Sequence, residues 1–388
     1  MNYYIKSLEM HKIHKGKTSI ESKVKIKNID DLSTAYTPGV AQPCLEIAKN
    51  PDEVYTYTNK GNLVAIISDG SAVLGLGNIG GSAAIPVMDG KSLLFKEFAG
   101  IDAFPICLNT QDADEIVNIA ASIAPVFGGI NLEDIVAPKC FEIERKLQKR
   151  VNIPVFHDDQ HGTAIVVSAA IINSVKLLGK TLTSMKTIIN GAGAAGIAIT
   201  KMLFNLGIQD IIVCDRKGII SKTRTDLNNE KQMLANISNS NNISGTLETA
   251  VKGRDLFIGV STAGILTQDM VKKMGTDPVI FALANPEPEI LPSLAYEAGA
   301  AVVGTGRSDY PNQINNVLVF PGMFKGALTA KASKITEEMK IAAAYALAGI
   351  IKEKDLNKNN VIPSAFHPGV ADIVANAVAK EWLRDVSS

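Results

Sequence analysis

The 388-residue chain has no net charge, little cysteine, few aromatic residues and no long apolar run. Lys plus Arg balances Asp plus Glu at 39 each, so no general field draws the chain to nucleic acid or to an anionic membrane surface. Its four cysteines, Cys44, Cys107, Cys140 and Cys214, are widely spaced and form no C-x-x-C pair. That spacing excludes a disulfide framework and fits a reducing compartment. Each cysteine sits among apolar neighbours and is expected to be a buried free thiol. The longest apolar stretch, 164–172, has about half the length of a membrane helix and contains Ser168. Lys6, Glu9, His11 and Lys12 interrupt the first 17 residues, which therefore lack the apolar core of a signal peptide. A cytoplasmic protein is expected.

What remains is an ordinary globular composition, 46% hydrophobic and 20% charged, in a chain long enough for two or three domains. The first 160 residues mix short apolar runs with Gly, Pro, Asp and Asn clusters, as an α/β domain with functional loops would. Residues 63–67 read as a buried strand ending at Ser68-Asp69-Gly70, and 153–156 as another ending at His157-Asp158-Asp159. Between 162 and 178 apolar residues recur at helical spacing, marking a helix that bridges two halves. Beyond it strands and helices alternate, with strands at 186–190, 211–214, 256–260, 279–283 and 301–304. Strands separated by helices pair in parallel through right-handed crossovers, so the fold class is α/β, with a Rossmann-type doubly wound sheet in the second half. The stretch 221–244, rich in Asn and Ser, reads as a surface helix with loose loops; 337–352 and 372–384 carry helical apolar stripes. Two units are expected, 1–160 and 161–388, the C-terminal helices belonging to the second.

The motif with the clearest chemistry is Gly191-Ala192-Gly193-Ala194-Ala195-Gly196, a G-x-G-x-x-G between a strand and a helix. The first glycine permits the tight turn, the second lets backbone approach a pyrophosphate, and the third allows close helix–strand packing. The phosphates then sit on the positive helix N-terminus. Asp215 ends the next strand, where a carboxylate accepts hydrogen bonds from adenosine ribose hydroxyls. Asp215 favours NAD by repelling a 2′-phosphate, whereas Arg216 and Lys217 could pair with one, so NADP stays open.

A second constellation is acidic. Glu133-Asp134 and Asp158-Asp159 are pairs of adjacent carboxylates, which repel unless solvated or bridged by a cation, and hard oxygen donors suit Mg²⁺ or Mn²⁺. His157 and His161 have the four-residue spacing of a zinc-binding helix. Asp158 follows the first and a strand precedes it, so both are expected in polar packing rather than on zinc.

Several segments together resemble the malic enzyme family. They are Ser33 through Ala41 around Tyr36, Ile66 through Gly77, Ile85 through Lys91, Leu132-Glu133-Asp134, and Phe156 through Ala164. The likeness continues through the glycine motif to Ala284-Asn285-Pro286 and Asn315 through Gly322, and it runs over residues 15–385 in family order. The resemblance implies oxidative decarboxylation of malate to pyruvate, with NAD or NADP and a divalent metal held by Glu133, Asp134 and Asp159. It implies Lys91 as general base, which needs a depressed pKa. It implies Tyr36 as general acid, and Asn285 and Asn315 lining the nicotinamide and malate pocket. Asp158 is expected to hold Lys91 or a metal-bound water. Larger members carry an arginine for a substrate carboxylate where this chain has Ala72, so Asn315, Lys91 or backbone N–H groups must replace it. A malolactic activity giving lactate, and a non-catalytic nucleotide sensor, are the alternatives; the second is disfavoured because Tyr36, Lys91 and the carboxylates are all present. The N-terminal segment could form an isologous interface, and the resemblance implies a homodimer or higher oligomer.

Overall fold

In the computed structural model, which describes residues 3–73 and 75–387, the chain builds two sheets. Strands β1 (Leu63–Ser68), β2 (Asp102–Cys107), β3 (Gly129–Leu132) and β4 (Val155–His157) form the first, in the order β2-β1-β3-β4 and all parallel. Strands β5 (Lys186–Asn190), β6 (Asp210–Asp215), β7 (Gly218–Ile219), β8 (Leu256–Gly259), β9 (Val279–Ala282) and β10 (Val302–Thr305) form the second, in the order β10-β9-β8-β5-β6-β7. Only β7 runs antiparallel to its neighbour. The α/β class and the doubly wound second sheet are as expected. Strands β1, β8 and β9 are dominated by Val, Ile, Leu, Phe and Ala, because a parallel strand covered by helices on both faces needs apolar side chains on both; β5 keeps only Ile188-Ile189 at its centre.

Strands β2 and β3 carry no such signal. Strand β2 contains Pro105, which is tolerated because β2 lies at the sheet edge, and β3 is the four-residue Gly-Ile-Asn-Leu. Helix Gly80–Ala99 packs on β1 and β2 and presents Lys91 to the interior. Helix Thr163–Leu177 follows directly from the end of the first sheet, apolar on nearly every face because it lies between layers.

The last helices return to the first unit. Phe320 and Phe324, on helix Phe320–Thr329, stack edge-on against Phe95 at 4.8 and 5.5 Å, and Phe324 also meets Phe156 at 5.9 Å. Helix Val370–Ser387 lies so close to helix Phe320–Thr329 that a Cβ on Gly326 would stand 2.4 Å from the Ala375 carbonyl. These helices, grouped by sequence with the second unit, therefore help to wall the first. All four cysteines are free; Cys140 and Cys214 are buried as expected, Cys107 is half-buried, and Cys44 is exposed. Cys44 departs from expectation because helix Ala41–Lys49, on which it lies, buries none of its residues. No helix among the described residues is long and apolar enough to cross a membrane.

Candidate active site

The acidic loops and the glycine turn leave the carboxyl ends of parallel strands. In each sheet the first strand of the unit is flanked by later strands on both sides, and loops diverge at such a switch point to leave a crevice. In the first sheet Asp69 follows β1, Glu133-Asp134 follow β3, and Asp158-Asp159 follow β4. In the second, the glycine turn follows β5, Ser261 lies beyond β8 and Asn285 beyond β9.

The centre is Lys91. Its Nζ lies 2.5 Å from Asp158 Oδ2 and 2.9 Å from Glu133 Oε1, and sits over the Phe320 ring at 4.1 Å from the centroid. Lys91 is 8% exposed and Asp158 fully buried. The Asn316 amide also donates to Asp158 Oδ2, and the Asn131 amide donates to Glu133 Oε2 at 2.8 Å. Asp158 and Asp159 open a π-helical turn, Asp158–Gly162. A side chain at Gly162 would place its Cβ 1.9 Å from Asp158 Oδ1, so only glycine leaves that carboxylate its room. Burial disfavours charge on Lys91, but Asp158 and Glu133 outweigh it and lift its pKa above the ordinary lysine range. Without a cation beside it, Lys91 is an ammonium rather than the depressed amine that a base requires.

Glu133, Asp134 and Asp159 each bring a carboxylate oxygen within 4.8 Å of the others. Burial and mutual repulsion push Asp134 up to about 9 and Glu133 to about 7, the latter despite Lys91. Asp134 Oδ2 is buried with no hydrogen-bond partner. Its main chain is held by bonds from its N–H to Asp159 Oδ2 and to its carbonyl from Ala72 N, both 2.9 Å. An orphaned carboxylate oxygen among repelling carboxylates fits a hard divalent cation such as Mg²⁺ or Mn²⁺, which would satisfy all three. Adding Mn²⁺ is therefore expected to raise the thermal midpoint, since a ligand of the folded state at 100 times its Kd stabilises by about 2.7 kcal/mol. Asp134→Asn should remove most of that shift in a thermal melt; an equal shift in the variant would exclude Asp134 as a ligand.

The loops are braced from behind. Asp69 is buried, pairs with Lys139 at 2.5 Å and accepts from Ser71, whose Oγ accepts from Val136 N beside the acidic pair. His161 Nε2 meets Glu144 at 2.9 Å, and the His157 N–H donates to the same carboxylate at 3.1 Å. Burial pushes His157 down to about 4, so its ring is neutral. The His161 ring is bonded to a carboxylate, whereas both ring nitrogens of His157 are buried without a hydrogen-bond partner.

On the second sheet the glycine turn is tightly determined. Gly191 has φ +126°, and a Cβ there would stand 2.5 Å from the Val260 carbonyl; one on Gly196 would stand 1.8 Å from the Gly191 carbonyl. Gly193, by contrast, faces open space at the start of helix Ala194–Asn205, so Ala192, Ala194 and Ala195 frame a backbone surface free for phosphate. A cavity of about 210 Å³ opens there, bounded by Gly193, Asp215, Arg216, Lys231 and Thr262.

Residues 14–148 match the malic enzyme N-terminal domain, and residues 160–382 match the malic enzyme NAD binding domain. A bifunctional malic/malolactic enzyme of Bacillus subtilis is 56% identical over 96% of this chain and 92% of its own length. An NAD-dependent malic enzyme of Geobacillus stearothermophilus is 54% identical over 95% of this chain and 77% of its own. The solved structure of malic enzyme from Pyrococcus horikoshii superposes with a TM-score of 0.96 at 45% identity, over 99% of this chain and 92% of that one. The chain belongs to the malic enzyme family.

Within this malic enzyme, not every residue singled out from sequence lies at the Lys91 centre. Lys91, Glu133, Asp134, Asp158 and Asp159 come together. Asn315 caps the turn Asn316–Leu318 through Val317 N at 3.0 Å, and it is Asn316 that reaches Asp158. Asn285 is half-buried on the loop beyond β9, with its amide beside Gly306. Tyr36 is 66% exposed and lies on the turn between helices Ile29–Ala35 and Ala41–Lys49.

Asp215 is already engaged. Arg224 pairs with it at 2.7 Å and Lys231 at 2.6 Å, and against burial these bonds hold it down to about 2. Sequence reasoning missed Arg224, Lys231, Asn316 and Glu289. Glu289, fully buried, accepts from Ser261 N at 2.9 Å and Ala284 N at 3.0 Å, fixing the loops beyond β8 and β9. The only local signal for Arg224 and Lys231 was basic residues following Asp215, in a stretch read as a surface helix with loose loops. That helix is Asn229–Ile237, capped by Asn228, and Lys231 in its first turn faces Asp215.

Proposed function

We propose that the chain oxidises (S)-malate and decarboxylates the product to pyruvate and CO₂, passing the hydride to NAD or NADP, with Mg²⁺ or Mn²⁺ held by Glu133, Asp134 and Asp159. The observation that carries this is the buried cluster of Lys91, Asp158, Glu133, Asp134 and Asp159, whose turn Asp158–Gly162 packs against the helix Ala194–Asn205 that follows the glycine turn. A bound divalent ion supplies Lewis-acid stabilisation of negative charge on the substrate oxygens. An ion held by Glu133 would leave Lys91 one carboxylate partner and a positive neighbour, and both would favour the neutral amine.

Lys91 then takes the C2 hydroxyl proton as hydride leaves C2 for the nicotinamide. Breakage of the C3–C4 bond releases CO₂ and leaves its electron pair on the C2–C3 enolate. Tyr36 returns one proton to C3, so one proton is removed and one restored. Asp158 positions Lys91, its own place set by Asn316 and by the missing side chain at Gly162. Asn285 and Asn315 line the nicotinamide and malate side. With Ala72 where an arginine could stand, Lys91, Asn315 and main-chain N–H groups hold the substrate carboxylate. Arg224 and Lys231 offset the charge of Asp215, which weakens the repulsion of a 2′-phosphate argued from sequence, so both dinucleotides fit.

The test is malate turnover with Mn²⁺ and either dinucleotide. Pyruvate and reduced cofactor are expected in equal amounts, with both NAD and NADP used. Lactate without net reduced cofactor would instead indicate the malolactic reaction named for the Bacillus subtilis relative.

A further inference from the structure

The turn Asp158–Gly162 carries two of the centre's carboxylates, Asp158 against Lys91 and Asp159 among the acidic oxygens. It is π-helical, a rare backbone form. One buried carboxylate grips it at both ends. Glu144, on helix Lys139–Arg150, is 6% exposed. Its Oε1 accepts from the His157 N–H at 3.1 Å, just before the turn, and from His161 Nε2 at 2.9 Å, near the end of it; Oε2 lies 3.1 Å from the same ring nitrogen. Burial opposes charge on Glu144, yet His161 beside it holds its carboxyl down to about 2, so it accepts hydrogen bonds at any working pH.

A third residue orients the ring. Lys340, on helix Glu337–Ala348, is 6% exposed, and its Nζ lies 3.3 Å from His161 Nδ1 and 2.5 Å from Glu337 Oε1. An ammonium has donors and no acceptor, so Nδ1 is the unprotonated nitrogen. The ring proton therefore sits on Nε2, which donates it to Glu144. The chain of bonds runs one way, from Lys340 through His161 to Glu144. Both ring nitrogens are occupied, which leaves His161 no atom for a metal and makes it a strut between two helices.

We infer that Glu144 is a positioning residue for the Lys91 and metal centre, setting the turn Asp158–Gly162 through the His157 N–H and the His161 ring, with Lys340 fixing the tautomer that lets the ring bind. The inference rests on the proposed role of Asp159 as a metal ligand. Asp158 and Asp159 lie between the two anchored residues, so loss of Glu144 releases both carboxylates together. Glu144 itself bonds neither Lys91 nor the acidic cluster, and its effect passes through the backbone of the turn. Groups that orient a metal ligand without touching the metal change its affinity about 10–100-fold.

The test is Mn²⁺ binding by the full chain, read from the paramagnetic resonance signal of free Mn²⁺ well below the melting midpoint, where a change in global stability alone does not move it. Glu144→Leu, close in size but without an acceptor, is expected to weaken binding about 10–100-fold. Glu144→Gln keeps one acceptor oxygen for both N–H donors and is expected to stay within about threefold of wild type. Lys340→Met frees the ring proton to move to Nδ1 and should fall between the two. In the metal-free protein, the His157 amide of Glu144→Leu is expected to lose on the order of 10-fold in exchange protection, with β1 and β5 unchanged. Glu144→Leu binding Mn²⁺ within about threefold of wild type overturns the inference. So does a Gln variant as weak as the Leu variant, which would make charge rather than hydrogen-bond geometry the cause. Should Glu144→Leu fail to fold, wild-type Mn²⁺ affinity and His157 protection in Lys340→Met overturn it instead. A wild-type chain that binds no Mn²⁺ overturns the metal-ligand reading of Asp159, and this inference with it.

Discussion

Replacing Lys91 by methionine is expected to lower malate-dependent turnover about 10²–10⁴-fold while dinucleotide binding stays within a few-fold of wild type. Methionine keeps an unbranched stem and removes the ammonium, together with its contact over the Phe320 ring. The nucleotide cavity is bounded by residues of the second sheet, none of which touches Lys91, so its affinity should not follow the loss of turnover. Removing one member of a buried ion pair also costs about 3–5 kcal/mol, because Asp158 and Glu133 are left without their cation. That cost is softened where these carboxylates can take up protons, and burial has already raised both to about 7. A Lys91→Met/Asp158→Asn double variant should regain stability without regaining turnover. Steady-state rates, NADH fluorescence and a thermal melt together separate the two roles. Unchanged turnover in Lys91→Met would remove lysine as the base. Lys91→Arg is not expected to rescue, since guanidinium stays protonated at any working pH.

Much of this arrangement can be read in the sequence, and the rest is hidden for identifiable reasons. Strands such as β1 and β9 announce themselves because burial on both faces favours an almost unbroken apolar run. Helix Gly80–Ala99 does not, because Gly80, Gly81, Pro86 and Gly90 break the helical stripe, although the helix carries Lys91. The carboxylate pairs are visible as local repulsion awaiting a cation. Joining Glu133 to Asp159 and to Lys91 requires tertiary structure or the family likeness, since nothing local links residues so far apart. The link from Asn316 to Asp158 spans 158 positions and depends on the last third of the chain folding back onto the first sheet. Asp215 was placed correctly at a strand end, but its partners Arg224 and Lys231 sit beyond β7, in a segment whose pattern shows a surface helix without showing that the helix turns Lys231 back to the strand end. Tyr36 is the limiting case: its local motif is intact, yet the fold leaves its side chain 66% exposed, which no local pattern announces.

The glycine turn gives the other large effect: Gly196→Ala is expected to weaken dinucleotide binding about 100-fold, equivalent to about 2.7 kcal/mol. The added Cβ would lie 1.8 Å from the Gly191 carbonyl oxygen, far inside contact distance, and the obstacle is main chain rather than a flexible side chain. Gly191 cannot yield easily. Its N–H is bonded to the Cys214 carbonyl at 2.9 Å, and its Cα faces the Val260 carbonyl closely enough that it tolerates no side chain either. The helix Ala194–Asn205 must therefore move away from β5, carrying with it the N–H groups that receive the pyrophosphate. Gly193→Ala is the informative control. Its Cβ meets nothing within 4 Å in the free protein, so folding should be untouched and any loss of affinity arises from crowding the ligand. The Mn²⁺ thermal shift should survive in both variants, because the carboxylates that produce it stand on the first sheet. Titration of NADH fluorescence measures the nucleotide term directly. Binding by Gly196→Ala within threefold of wild type would mean that the turn can relax without displacing its amides, and the close helix–strand approach would then have no part in holding the dinucleotide.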